Sequence, residues 1–107
     1  MARKQKHPDY DNCPIEAALD QIGGKWKGVI LQRLDGQTRR FNELKRTIPR
    51  ITQRMLTTQL RELESDQLVT RKVYAQVPPR VEYSLTAKGE TLQPVLKALL
   101  SWGEKHV

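Results

Sequence analysis

Four side chains in the stretch ITQRMLTTQLRELE, residues 51–64, have types and a spacing that suit contact with a nucleic acid. Arg54, Thr57, Thr58 and Arg61 recur at i, i+3, i+4 and i+7, one face of a helix, and Leu56, Leu60 and Leu63 fall on the other. Arginine pairs bidentately with O6 and N7 of guanine, while threonine can donate to a base edge or touch a thymine methyl. Thr52 and Gln53 add two more base-capable groups where the helix begins. The strip holds no acid, since Glu62, Glu64 and Asp66 come only as the helix runs out. A solvated face ordinarily mixes both signs of charge, so this one points to an anionic partner. An ordinary exposed face is the alternative.

The surrounding charge favours the first reading. The 107 residues carry a formal net charge of +7, which suits nucleic acid or an anionic surface. Between positions 39 and 61 stand Arg39, Arg40, Lys45, Arg46, Arg50, Arg54 and Arg61 against Glu43 alone, a net +6. Of these, Arg39, Arg40, Lys45, Arg46 and Arg50 suit phosphates, which position a protein on DNA without reading sequence. Further on, Lys72, Gln76 and Arg80 could reach a groove or its phosphates from a hairpin, or simply keep that hairpin soluble.

The elements needed to position these groups are legible in the pattern. Residues 1–12 read as a polar, flexible arm, and 13–107 as one domain. A first helix opens at Pro14 with Cys13 as N-cap and buries Ile15, Ala18, Leu19 and Ile22. After Gly23-Gly24-Lys25, a second runs through Trp26, Val29, Ile30 and Leu34 to end near Asp35-Gly36. Trp26 reads as core. A third occupies NELKRTI, with Leu44 and Ile48 apolar and Phe41 just before it, and Pro49 forces the chain out of it. Thr52 then caps the helix described above. Two helices joined by a tight turn, the second of them long, are the helix-turn-helix layout. The runs LVTRKVY and RVEYSL read as strands flanking AQVPP, a loop that Pro78-Pro79 should make extended and stiff. Such a hairpin is the wing of a winged helix. From Thr86 an amphipathic segment follows, with Leu92, Val95, Leu96, Leu99 and Trp102 at helical spacing and Pro94 expected to kink or split it. The fold class is therefore α+β, mostly helical. The last stripe, Leu100 included, is core or dimer contact, and a homodimer interface shared with Ile15 and Leu19 of the first helix is favoured. Two-fold symmetry would set two reading helices about one DNA turn apart.

Other chemistries find little support. His7 and His106 lie at opposite ends and Cys13 is the one cysteine, so no intrachain disulfide can form. No metal-ligand spacing, phosphate loop or nucleophile motif occurs, so neither an enzyme nor a bound metal or cofactor is expected. No apolar run approaches the roughly 20 residues of a membrane span, and no signal peptide is visible, so a cytoplasmic protein is expected. Cys13 is either a spectator or a redox sensor, its thiolate favoured by a helix N-terminus and opposed by Asp9, Asp11 and Glu16. Any small-molecule effector is unknown. The rivals to a sequence-specific reader of double-stranded DNA are a nucleoid-type binder and a basic protein-interaction module.

The order of motifs CPIEAALDQIGGKWKGVIL, RRFNELKRTIPRITQRMLTTQLRELE and VPPRVEYSLTAKGETLQPVLKALLSWG resembles the HxlR-type regulators, small bacterial winged-helix proteins akin to the MarR type. The resemblance covers 13–103 and implies a homodimeric transcriptional regulator that dimerises through its first and last helices. It implies a recognition helix over 52–61 and a wing over 75–80. In some relatives the cysteine matching Cys13 senses electrophiles or oxidants. Two positions depart from the family pattern. Gln67 stands where glycine usually follows the aspartate, at an expected cost of roughly 1 kcal/mol in a left-handed exit. Arg50 replaces a small or polar residue and adds charge.

Overall fold

The computed structural model describes residues 13–107, and the arm expected over 1–12 lies outside the described residues. Pro14 opens α1 (Pro14–Ile22) after an extended Cys13, whose side chain makes no capping hydrogen bond. Of the four apolar residues expected to be buried along α1, only Ile22 is; Ile15 and Leu19 face solvent within the single chain. Trp26 takes a left-handed φ of 75° at the entrance to α2 (Lys27–Arg33) and packs against the core. A two-residue strand β1 (Arg39–Arg40) leads directly into α3 (Phe41–Thr47), where Glu43 Oε1 accepts from the Arg40 N–H at 2.7 Å.

The quoted stretch forms α4 (Gln53–Ser65). Thr52 Oγ1 accepts from Met55 N at 3.0 Å, so the cap read from the sequence is present. Leu56, Leu60 and Leu63 are buried with Ile30, Leu31, Leu34, Leu44, Ile48 and Ile51. Each fully buried leucine contributes about 1.5–3 kcal/mol relative to exposure. That burial fixes which side of α4 points outward.

The exit from α4 follows the Schellman pattern: Leu68 N donates to Leu63 O and Gln67 N to Glu64 O, both at 2.9 Å. Gln67 sits at φ 63°, the left-handed conformation expected there. Its side chain is exposed and has little packing to lose. Gln67→Gly is therefore expected to raise the unfolding free energy by about 1 kcal/mol. Urea unfolding at fixed protein concentration measures this, and a less stable variant would show that the glutamine side chain outweighs its backbone cost.

Strands β2 (Val69–Tyr74) and β3 (Arg80–Leu85) form the hairpin, and β1 adds to it antiparallel in the order β1-β3-β2. Strand β1 is not announced by the sequence, because two residues carry no periodicity. Register sets Arg39, Tyr83 and Arg71 in one row across the sheet and Arg40, Glu82 and Lys72 in the next. The intervening loop bends tightly and is not extended: Gln76 N donates to Tyr74 O at 3.0 Å, and the Val77–Pro78 peptide is cis. Five residues that must reverse the chain leave no room for an extended course.

Thr86 caps α5 (Ala87–Glu90), accepting from Gly89 N at 2.9 Å and donating to Gln67 O at 2.6 Å. At Gly89 a Cβ would stand 2.2 Å from Leu68 O, so only glycine lets α5 pack this close. The amphipathic segment is split as its proline implied, with Pro94 in the first turn of α6 (Gln93–His106), where no helical N–H is missed. Helix α6 lies against α2, and Gln93 Nε2 reaches Leu31 O at 3.5 Å. Leu96 is buried in the core and Leu92 packs against it. These two, expected at a dimer contact, are thus held within the protomer. Val95, Leu99, Leu100 and Trp102 remain exposed, Trp102 at 60%.

Candidate nucleic-acid interface

Helix α3, the turn at 48–51 and helix α4 present the groups singled out above. Arg54, Thr58 and Arg61 are exposed on the side of α4 away from its leucines, while exposed Gln53 and half-buried Thr57 flank the cleft that Leu60 also lines. The threonine hydroxyls are already engaged: Thr57 Oγ1 donates to Gln53 O at 2.9 Å and Thr58 Oγ1 to Arg54 O at 3.0 Å. Back-bonding of this kind fixes the side chain. Each threonine therefore offers its methyl group and acceptor lone pairs outward, not the donor expected from sequence. An acceptor suits the amino groups of cytosine or adenine, and the methyl suits thymine.

The cations expected at phosphates divide. Arg40, Arg46 and Arg50 are exposed and Lys45 is half-buried. Arg40 and Arg46 line a cleft of about 430 Å³ together with Arg80 of β3, so the helix-turn-helix and the hairpin share one basic surface. Arg39 is the exception. Its Nε donates to Arg33 O at 2.8 Å, tying β1 to the end of α2. Its guanidinium is drawn inward because Arg39 shares the sheet face of buried Tyr83.

On the hairpin, Gln76 is exposed at the tip. Lys72 Nζ lies 5.0 Å and Arg80 Cζ 4.2 Å from the centre of the Tyr74 ring, and Arg80 Nε lies 3.5 Å from Glu82 Oε2. Cation–π attraction thus holds both cations at the loop end of the hairpin, where Tyr74 pairs with Arg80. Two functional placements were missed in the sequence. Arg71 lines a cleft of about 580 Å³ with Gln53, Thr57, Arg61 and Glu64, and strand alternation from Val69 could have revealed it. Lys27 is fully buried and paired with Glu62 of α4, which no periodicity announces. Cys13 lies before α1, half-buried and free.

Helix-turn-helix, three-stranded sheet and wing together define a winged helix-turn-helix, a class built to bind DNA. The profile of the HxlR-like helix-turn-helix regulators matches residues 21–107, and the chain belongs to that family. It is 57% identical to the HTH-type transcriptional regulator YdeP of Bacillus subtilis (strain 168), over 92% of this chain and 77% of that one. Among solved structures, one described as the redox regulator HypR in its oxidized form superposes with a TM-score of 0.83 at 56% identity, covering 89% of this chain and 98% of that one. Reduced YodB of B. subtilis gives 0.77 at 39% identity, covering 88% and 93%. The chain is accordingly a DNA-binding transcriptional regulator of the helix-turn-helix type, not an enzyme. Among the described residues no helix is long and apolar enough to cross a membrane.

Proposed function

We propose that the protein acts in the cytoplasm as a homodimer that reads a near-palindromic operator, with α4 as the recognition helix. The acid-free strip of Arg54, Thr57, Thr58 and Arg61 carries this reading, since the methyl groups and acceptor oxygens between the arginines suit base edges, which a grip on phosphates alone does not need. Arg40, Lys45, Arg46 and Arg50 grip phosphates, and the wing, with Gln76 at its tip and Lys72 and Arg80 just behind it, lies along the neighbouring groove. Dimerisation uses Ile15 and Leu19 of α1 with Val95, Leu99, Leu100 and Trp102 of α6. These residues are between 47% and 69% exposed in the single chain, large apolar side chains on two helices that suit a protein contact. The likeness to HypR and YodB, whose solved forms include oxidized, reduced and quinone-bound states, supports a thiol response at Cys13.

Fluorescence anisotropy of the reduced protein on duplexes selected from a random pool tests this. A dimeric mass, together with binding that survives excess random competitor, is the expected result. Oxidant should then alter binding by wild type and not by Cys13→Ser. Binding removed entirely by competitor would leave a nonspecific binder, and an equal response in both proteins would take Cys13 out of the mechanism.

A further inference from the structure

The hairpin carries three cations, and sheet register sorts them by face. Arg71 stands opposite Tyr83, which is buried, so Arg71 shares the inner face that β2 turns toward α4. Lys72 and Arg80 lie on the other face, on either side of Tyr74. Beside the hairpin, Arg40 of β1 shares that outer row through Glu82, and Arg39 shares the inner face but is tied to Arg33 O. Arg71 is thus the hairpin cation that faces the recognition helix, and it is exposed.

It also stands in a defined place. The cleft of about 580 Å³ between α4 and the sheet has an apolar floor that includes Phe41, Leu60 and Tyr83. Its charged rim is Arg61 and Glu64 from the helix and Arg71 from β2. Two guanidinium groups on opposite walls suit an anion that passes between them, because the planar fork of arginine matches phosphate oxygens bidentately.

We propose that Arg71 is a DNA-backbone contact of this protein: one sugar-phosphate strand runs through the cleft between α4 and β2, clamped by Arg71 and by Arg61, which at the cleft rim takes a phosphate and leaves base reading to Arg54, Thr57 and Thr58. Glu64 sets the strength of that clamp. Its carboxylate leaves the rim with a single net positive charge and opposes phosphate wherever the strand enters, on any sequence. The inference rests on α4 being the helix laid against DNA.

The test uses a duplex of random sequence, because a phosphate contact does not require the operator. Affinity is measured against salt for wild type, Arg71→Ala, Glu64→Gln and Lys97→Ala, the last removing an equal charge from α6, away from the cleft. Each lost phosphate contact lowers the slope of log affinity against log salt by about 0.9. Arg71→Ala should show that flattening with about a tenfold loss at low salt. Lys97→Ala should keep the wild-type slope, and Glu64→Gln should bind several-fold tighter, a gain that a damaged fold does not produce. A wild-type slope in Arg71→Ala, or unchanged affinity in Glu64→Gln, overturns the proposal while leaving the helix assignment standing. If wild type itself fails to bind duplex, both fall.

Discussion

Glu62→Ala is expected to cost about 3 kcal/mol of stability, the low end for stripping one partner from a buried ion pair. The ammonium of Lys27 on α2 is fully buried and meets the Glu62 carboxylate of α4, whose own side chain is 39% exposed. The two ends therefore differ. Without Glu62 the lysine charge is stranded in the interior, whereas without Lys27 the carboxylate can turn to water. Lys27→Met should accordingly cost far less, and the double variant Lys27→Met, Glu62→Ala should be about as stable as Lys27→Met alone. Thermal unfolding at one protein concentration reads the difference, with Glu62→Ala melting roughly 15 °C below wild type. Equal losses in the two single variants would show that the pair is not held as an interior charge.

Space for that charge is built into the preceding turn. A Cβ on Gly24 would stand 2.9 Å from Lys27 Nζ, so the glycine makes room for the ammonium. The pair joins the scaffold helix α2 to the recognition helix α4, and with the leucine face it sets the rotation of α4 about its axis. A buried lysine thus acts on function through the direction in which Arg54 and Arg61 point.

Lys27 also shows where the sequence stops being legible. Lysine in a stretch such as GGKWKG reads as surface, and only a facing carboxylate 35 positions away makes its burial possible. Periodicity reports which residues share a face, so α4, the hairpin and the division at Pro94 could be read in advance. It does not report what covers a face. The stripe of α6 therefore mixed Leu96, which enters the core, with Leu99 and Trp102, which remain outside. The same limit applied to charge. Arg39 and Arg40 look equivalent in the sequence, yet successive strand residues face opposite ways, and the first is bound to a carbonyl while the second is exposed. Arg71 and Lys72 are separated by the same alternation. Strand β1 was out of reach because two residues cannot display a repeat.

Arg54→Ala is expected to reduce the preference for operator over random DNA by roughly ten- to a hundredfold, the range for loss of one bidentate base contact. Arg54 lies in the first turn of α4, the end that enters the major groove in helix-turn-helix proteins. The Thr52 cap fixes where that turn begins, and the Thr58 hydroxyl closes onto the Arg54 carbonyl one turn on. The backbone beneath the guanidinium is therefore held at both ends, which a directional contact to guanine needs and a contact to a diffuse phosphate charge does not. Arg46→Ala supplies the contrast. Exposed on α3 beside Arg40 and the hairpin, it should weaken operator and random DNA alike and flatten the salt slope by about one contact. Competition binding with a selected operator and random duplex measures both variants in one assay. If Arg54→Ala keeps the wild-type ratio and loses affinity uniformly, Arg54 is a phosphate contact and sequence is read from elsewhere on α4. The back-bonded methyl groups of Thr57 and Thr58 are the next candidates, because they are the remaining side chains on that face whose geometry the helix already fixes.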